Sequence, residues 1–263
     1  MSPASRQSFE FTKWYMDCVD NEGGAVIAYW TSLAWHGMAL TWHSVTRFAA
    51  DGTHTAHTSV RPCDPPTVGE KTIIWKAPRL RCGFTMSPIQ PAMAPVSLLE
   101  GVEWTCVAPA SSVSVTLPGT GPVHGTGYAE RIAMRVPPWQ LGIQQLRWGR
   151  WISLDASRSA VWIGWTGDAP RTLVFVDGQG ATNALIADNN IDGGGAALAL
   201  GRRRVLLDRA LSSTLGRMPM LKAAVPMSLL ALRETKWLRN GTLRVGRAPP
   251  IAGTAIDEVA VFA

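Results

Sequence analysis

Charge is scarce in this 263-residue chain, where Asp, Glu, Lys and Arg make up 17% of the residues against 46% hydrophobic ones. A chain so poor in charge must hide much of itself when folded. Long apolar runs are also missing. The greasiest stretches, Ala196 to Leu200 and Ala223 to Leu232, fall far short of the ~20 residues a membrane span needs. No span is expected, and peripheral contact with a membrane surface stays open. Met1 to Ser8 contains no apolar core ahead of a small-residue cleavage site, which argues against a secretory leader and makes the cytoplasm the expected compartment. Cys18, Cys63, Cys82 and Cys106 are dispersed without a CxxC pair, so the expectation is reduced, mostly buried thiols rather than a zinc or disulfide framework.

Several signatures of chemistry are absent too. Gly178-Gln179-Gly180 and Asp192-Gly193-Gly194-Gly195 lack the strand-to-helix setting of a phosphate or dinucleotide loop and read as turns, so no cofactor is expected. No G-x-S-x-G element occurs, and a hydrolase has no support. His54 and His57 form H-x-x-H, but on a strand that spacing points to opposite faces, and no metal is expected. The net charge of +6, carried in part by Arg202-Arg203-Arg204, comes without a nucleic-acid motif and reads as a solvated basic surface.

Short strand-like runs are what the sequence does contain, including Trp14 to Val19, Ala25 to Leu33, Met38 to Phe48, Val161 to Trp165 and Ala255 to Phe262. Turn signals such as Asp51-Gly52, Asp177-Gly178 and Asn240-Gly241 separate them. This pattern predicts an all-β antiparallel sandwich or barrel. Helical signal is thin, confined to Ser212 to Leu221 and Pro226 to Thr235. Length favours two domains. The composition break at Pro118 to Pro122 places the junction there, giving residues 1–120 and 121–263.

Tryptophan is in surplus, twelve against six phenylalanines and three tyrosines. On the first strand, Trp14, Met16 and Cys18 share one face and Tyr15, Asp17 and Val19 the other, so one face is apolar and the other carries a carboxylate. Such a protein is expected to hold a hydrophobic small molecule in a tryptophan-lined pocket.

Three boxes carry a family resemblance. Lys13-Trp14-Tyr15-Met16-Asp17-Cys18 with its acidic turn, Gly125-Thr126-Gly127-Tyr128-Ala129-Glu130, and Leu146-Arg147-Trp148-Gly149-Arg150-Trp151 occur in this order. They resemble the lipocalin-like (calycin) superfamily of carotenoid 1,2-hydratase (hydroxyneurosporene synthase), AttH-like proteins and fungal Diels-Alderases. Gly253 to Val259 resembles that family's closing strand. The resemblance implies two lipocalin-like antiparallel β-barrels packed together, with few short helices. It departs at Gly149, where the hydratases carry the aspartate of a W-D-W box, and at Arg131-Ile132-Ala133, which replaces the cyclases' asparagine-tryptophan pair.

Alkene protonation needs a carboxylic acid in an apolar site and support for a carbocation. Asp17 and Glu130 are the candidate acids. Trp14, Trp30, Trp42, Trp139 and Trp148 are candidate walls whose π faces attract positive charge. A pericyclic reaction needs only a shaped cavity and donors, for which Tyr128, Arg131 and Arg147 are suited. Tyr15 and His43 complete the candidate substrate contacts. Structural readings stand beside these: strand tryptophans commonly pack cores, Asp17 could cap a turn or pair with an arginine, and Glu130 could pair with Arg147 or Arg150. The expected function is a cofactor-independent enzyme that cyclises, isomerises or hydrates a lipophilic polyene, terpenoid or polyketide-like substrate. The alternative is a non-catalytic carrier. The oligomeric state is left open.

Overall fold

The computed structural model describes residues 9–214 and 226–262. The chain is all-β, and contacts divide it into two compact units, Met1–Pro137 and Pro138–Ala263. The first unit holds β1 (Glu10–Asp20), β2 (Ala25–Trp35), β3 (Met38–Phe48), β4 (His54–Ser59), β5 (Thr67–Val68), β6 (Ile73–Ala77), β7 (Cys82–Pro88), β8 (Val96–Leu99), β9 (Val102–Thr116) and β10 (Val123–Met134). The second holds β11 (Ile143–Ser153), β12 (Ser159–Gly167), β13 (Arg171–Val176), β14 (Gln179–Gly180), β15 (Leu185–Ile186), β16 (Asn190–Asp192), β17 (Ala196–Ala210), β18 (Arg233–Val245) and β19 (Ile251–Val261).

Each unit is one antiparallel sheet that runs largely between chain neighbours. The first follows the order β4-β3-β2-β1-β10-β9-β7-β6-β5, with β8 on β9, and the second β14-β13-β12-β11-β19-β18-β17-β16-β15. Turn chemistry sets the hairpins. His36 and Gly37 both take left-handed φ, 51° and 75°, the two-residue turn whose twist matches the flanking β2 and β3. Asp177 and Gly178 repeat it between β13 and β14, with φ of 50° and 78°.

Both sheets curl on themselves. β3 and β6 lie far apart in strand order, yet the His43 and Trp75 rings meet edge to face with centroids 6.1 Å apart. The Trp30 indole N–H also crosses to the Cys63 carbonyl at 2.7 Å. The resulting core contains Trp14, Met16, Cys18, Ala28, Trp30, Trp75 and Phe84. In the second unit Val174 of β13 and Ile191 of β16 share a core with Trp151, Trp162 and Leu198.

The structure bears on three expectations. The junction lies at Pro137/Pro138, beyond the Gly/Pro-rich break, which is the hairpin turn joining the paired strands β9 and β10. The Pro226 to Thr235 helix is a single turn, α2 (Met227–Leu230), before the chain enters β18 at Arg233. There β18 pairs with both β17 and β19, and two ladders of interstrand hydrogen bonds override local preference. Of the other expected helix, α1 (Leu211–Thr214) is helical, and residues 215–221 lie outside the described residues. Among the described residues no helix is long and apolar enough to cross a membrane.

Candidate functional site

The Gly-Tyr box sits on β10, which pairs with β1 so that Tyr15 faces Glu130 and Met16 faces Ala129. A Cβ at Gly125 or Gly127 would overlap the carbonyl oxygen of Val19 or Asp17. The two glycines therefore let β10 press against the β1 backbone, a close approach no other residue permits. Alternation then puts Tyr15 and Asp17 on the same face as Tyr128 and Glu130.

Glu130 is the hub of that face. Its Oε2 accepts hydrogen bonds from Trp104 Nε1 at 2.6 Å and from the Tyr128 hydroxyl at 2.7 Å. Across the ladder β9 brings Cys106 opposite Glu130. All four residues and Asp17 are buried. Burial, with Cys106 and Glu130 beside it, pushes the Tyr128 phenol well above its ordinary range, so Tyr128 stays a neutral donor. Cys106 is raised well above the usual thiol range by the same burial, and Cys82 is pushed up to about 12. No disulfide joins the four cysteines, and these two buried thiols are not thiolate nucleophiles at neutral pH.

An aromatic row runs to this hub across four neighbouring strands. Trp42 on β3 stacks on Tyr29 of β2 with ring centroids 6.2 Å apart, Tyr29 meets Tyr15 of β1 at 5.5 Å, and Tyr15 meets Tyr128 of β10 at 6.1 Å. The Trp42 indole N–H has no hydrogen-bond partner among the described residues. Tyr29, Trp104 and Cys106 belong to none of the sequence boxes. Tyr29 is nevertheless within reach of sequence reasoning, because the Asp20 to Gly24 turn sets the register that places it opposite Tyr15.

Trp14, Trp30 and His43 belong to the other side of the same sheet. Trp14 and Trp30 are cross-strand partners, and Trp30 faces His43 on the next strand. His43 is fully buried, and neither ring nitrogen has a hydrogen-bond partner among the described residues. Burial pushes its pKa below the ordinary 6.5. The unfolded chain then takes up a proton that the folded chain refuses, so the stability is complete above pH 6.5 and is lost as pH falls through the folded pKa. A His43→Leu variant should therefore show a smaller drop in Tm on acidification from about pH 7.5 to about pH 5.5. Equal slopes for the two proteins would show that the imidazole does not titrate in this way. Arg131, opposite Trp14 on β1, pairs with Glu103 at 3.3 Å.

The remaining candidates lie in the second unit. Trp139 is half-buried in a short turn, Pro138–Gln140. Arg147 pairs with Asp188 at 2.8 Å. Trp148 faces Glu258 across the ladder, and the Lys236 ammonium lies 5.9 Å from the centre of its ring. Lys236, 1% exposed, is also held by Glu234 at 2.7 Å and by a close contact with Glu258. Gly149 faces Trp162 on β12 and Asp257 on β19, and a Cβ there would overlap the Trp162 indole. The position matched by the resemblance to the hydratases' aspartate has no room for a side chain. Asp257 and Arg239, paired at 3.3 Å in the buried interior, carry no signal in the sequence that would single them out. Among the described residues no group of three or more His, Cys, Asp or Glu gathers to hold a metal.

No family model matches the sequence, and no curated protein matches it. Solved structures do. CghA bound to Sch210972 aligns with a TM-score of 0.62 and 11% identity, covering 98% of this chain and 89% of that one. An AttH-type protein from Nitrosomonas europaea aligns at 0.57 and 11% identity, over 98% and 93%. Kievitone hydratase from Nectria haematococca aligns at 0.55 and 8% identity, over 99% and 90%. The chain has the fold of these three proteins. At such identities the likeness carries the architecture, and the chemistry has to be argued from the residues.

Proposed function

We propose that this protein is a cofactor-independent enzyme acting on a lipophilic polyene, terpenoid or polyketide-like substrate by cyclisation, isomerisation or hydration. The carrying observation is the aromatic row Trp42, Tyr29, Tyr15 and Tyr128 ending on the buried Glu130 carboxyl. Ring faces stabilise developing positive charge on a polyene. Glu130, oriented by Trp104 and Tyr128, is the group that exchanges the proton, and Asp17 is the second acid of the same face. The name of kievitone hydratase and the ligand of CghA support small-molecule chemistry on this fold.

The test is incubation with polyene-rich host lipid extract in heavy water, followed by mass spectrometry for rearranged or hydrated products carrying deuterium. Glu130→Gln should lose roughly 10²–10⁴-fold of the turnover, and Asp17→Asn should also fall. Full turnover in both variants would exclude proton transfer at this face. The absence of space for an acid at Gly149 favours a second reading, a carrier that holds its ligand unchanged. Native mass spectrometry separates the two, since a carrier returns the same molecule after prolonged incubation.

A further inference from the structure

A second cluster in the Pro138–Ala263 unit has no part in the proposed chemistry. Three arginines from β11, β17 and β18 converge on the loop between β15 and β16. Arg147 Nη2 lies 2.8 Å from Asp188 Oδ1, and Arg203 Nη2 lies 3.7 Å from the same oxygen. Arg239 is different. Its guanidinium donates to the carbonyls of Asp188, Leu200 and Gly201 and to the side chains of Asn189 and Asp257. It is committed to the protein, and Asp257 offsets its charge.

Arg147 and Arg203 are less committed, although Arg203 also donates to the Asp188 carbonyl at 3.3 Å. Their side chains are 21% and 35% exposed and share one carboxylate, which is itself 72% exposed on a loop. Beside Arg203 lies an open cleft of about 470 Å³, lined in part by Asp188, Gly201, Arg202 and Arg239. Arg202 has no ion pair among the described residues. Behind Arg239, Asp257 is only 4% exposed, with Oδ1 lacking any hydrogen-bond partner among the described residues. Excess guanidinium over carboxylate lies beside this cleft and is met by one exposed loop carboxylate, Asp188.

We infer that this cleft binds a small carboxylate-bearing molecule, which displaces the Asp188 side chain from Arg147 and Arg203 and gains Arg202. The guanidinium forks suit a carboxylate, and the cationic surroundings draw anions in. The loop survives the exchange, because Arg239 holds it through the Asp188 backbone carbonyl and Asn189 rather than through the Asp188 carboxylate. The Arg203 guanidinium lies 4.7 Å from the centre of the Trp237 ring, so occupancy should alter Trp237 fluorescence.

Calorimetric titration with succinate at low ionic strength tests this. Asp188→Asn should bind succinate about five- to tenfold more tightly than wild type, with a fluorescence change that Trp237→Phe removes. Asp188→Asn combined with Arg203→Gln should lose the gain, and neutral succinamide should not bind. Unchanged Tm values in these surface variants confirm folding. Equal succinate affinity in wild type and Asp188→Asn, or tighter binding of inorganic phosphate than of succinate, would overturn the inference. Glu130→Gln leaves succinate binding intact, so failure here and failure of the catalytic reading are told apart.

Discussion

Replacing Arg239 by leucine is expected to destabilise the protein by about 3–5 kcal/mol, because it leaves a charged partner buried and uncompensated. Arg239 joins β17, β18, β19 and the loop after β15 through one side chain. Asp257 would be stranded. Its pKa already lies above the ordinary carboxylate range, because burial outweighs the attraction of Arg239, Arg203 and Arg147. A carboxyl raised in the folded state favours folding at low pH and costs stability as pH rises through its folded pKa. The loss in Arg239→Leu should therefore be largest at neutral pH and shrink on mild acidification. Urea denaturation at two pH values measures both effects. Arg239→Leu with Asp257→Leu should recover part of the loss, since the carbonyls of Asp188, Leu200 and Gly201 would still lack their donor. A single-variant loss under about 1 kcal/mol would mean that the pair does not pin the barrel.

Gly149→Asp, which restores the acid of a hydratase box, is expected to cost about 3–5 kcal/mol and to create no hydratase. A Cβ there meets the buried Trp162 indole, and overpacking a close-fitted core costs about 1–3 kcal/mol on its own. The new carboxylate would also face Asp257 across the β11–β19 ladder, and two buried like charges disfavour ionisation of both. Gly149→Ala separates the contributions, carrying the steric cost alone. Thermal melts of both variants decide the matter. A Gly149→Ala protein as stable as wild type would show that Trp162 yields easily and that the site can accept an acid.

The two stability variants and the Glu130 face separate what is readable locally from what is not. Period-two alternation alone assigns Tyr15 and Asp17 to one face of β1 and Trp14, Met16 and Cys18 to the other, and the core contains the second set. Turn residues locate some hairpins, as at Asp177-Gly178, whereas Asn240-Gly241, read as a turn, lies inside β18, paired on both sides. Tyr128 and Glu130 share a face for the same local reason. Their relation to Trp104 is not readable, because Trp104 reaches Glu130 from 26 positions away on β9, across a register interrupted by bulges near Gly127 and Ala129.

Local patterns suffice to make this protein all-β, to mark many of its turns and to set which strand neighbours share a face. These follow from backbone sterics acting over two to four residues. It takes the folded sheets to show that Trp14, Trp30 and His43 pack away from Glu130, that Trp162 fills the space beside Gly149, and that Arg239 meets Asp257. Those outcomes depend on strand order, ladder register and sheet curl. Such features bring together side chains from distant parts of the chain, and no local pattern encodes the distance between them.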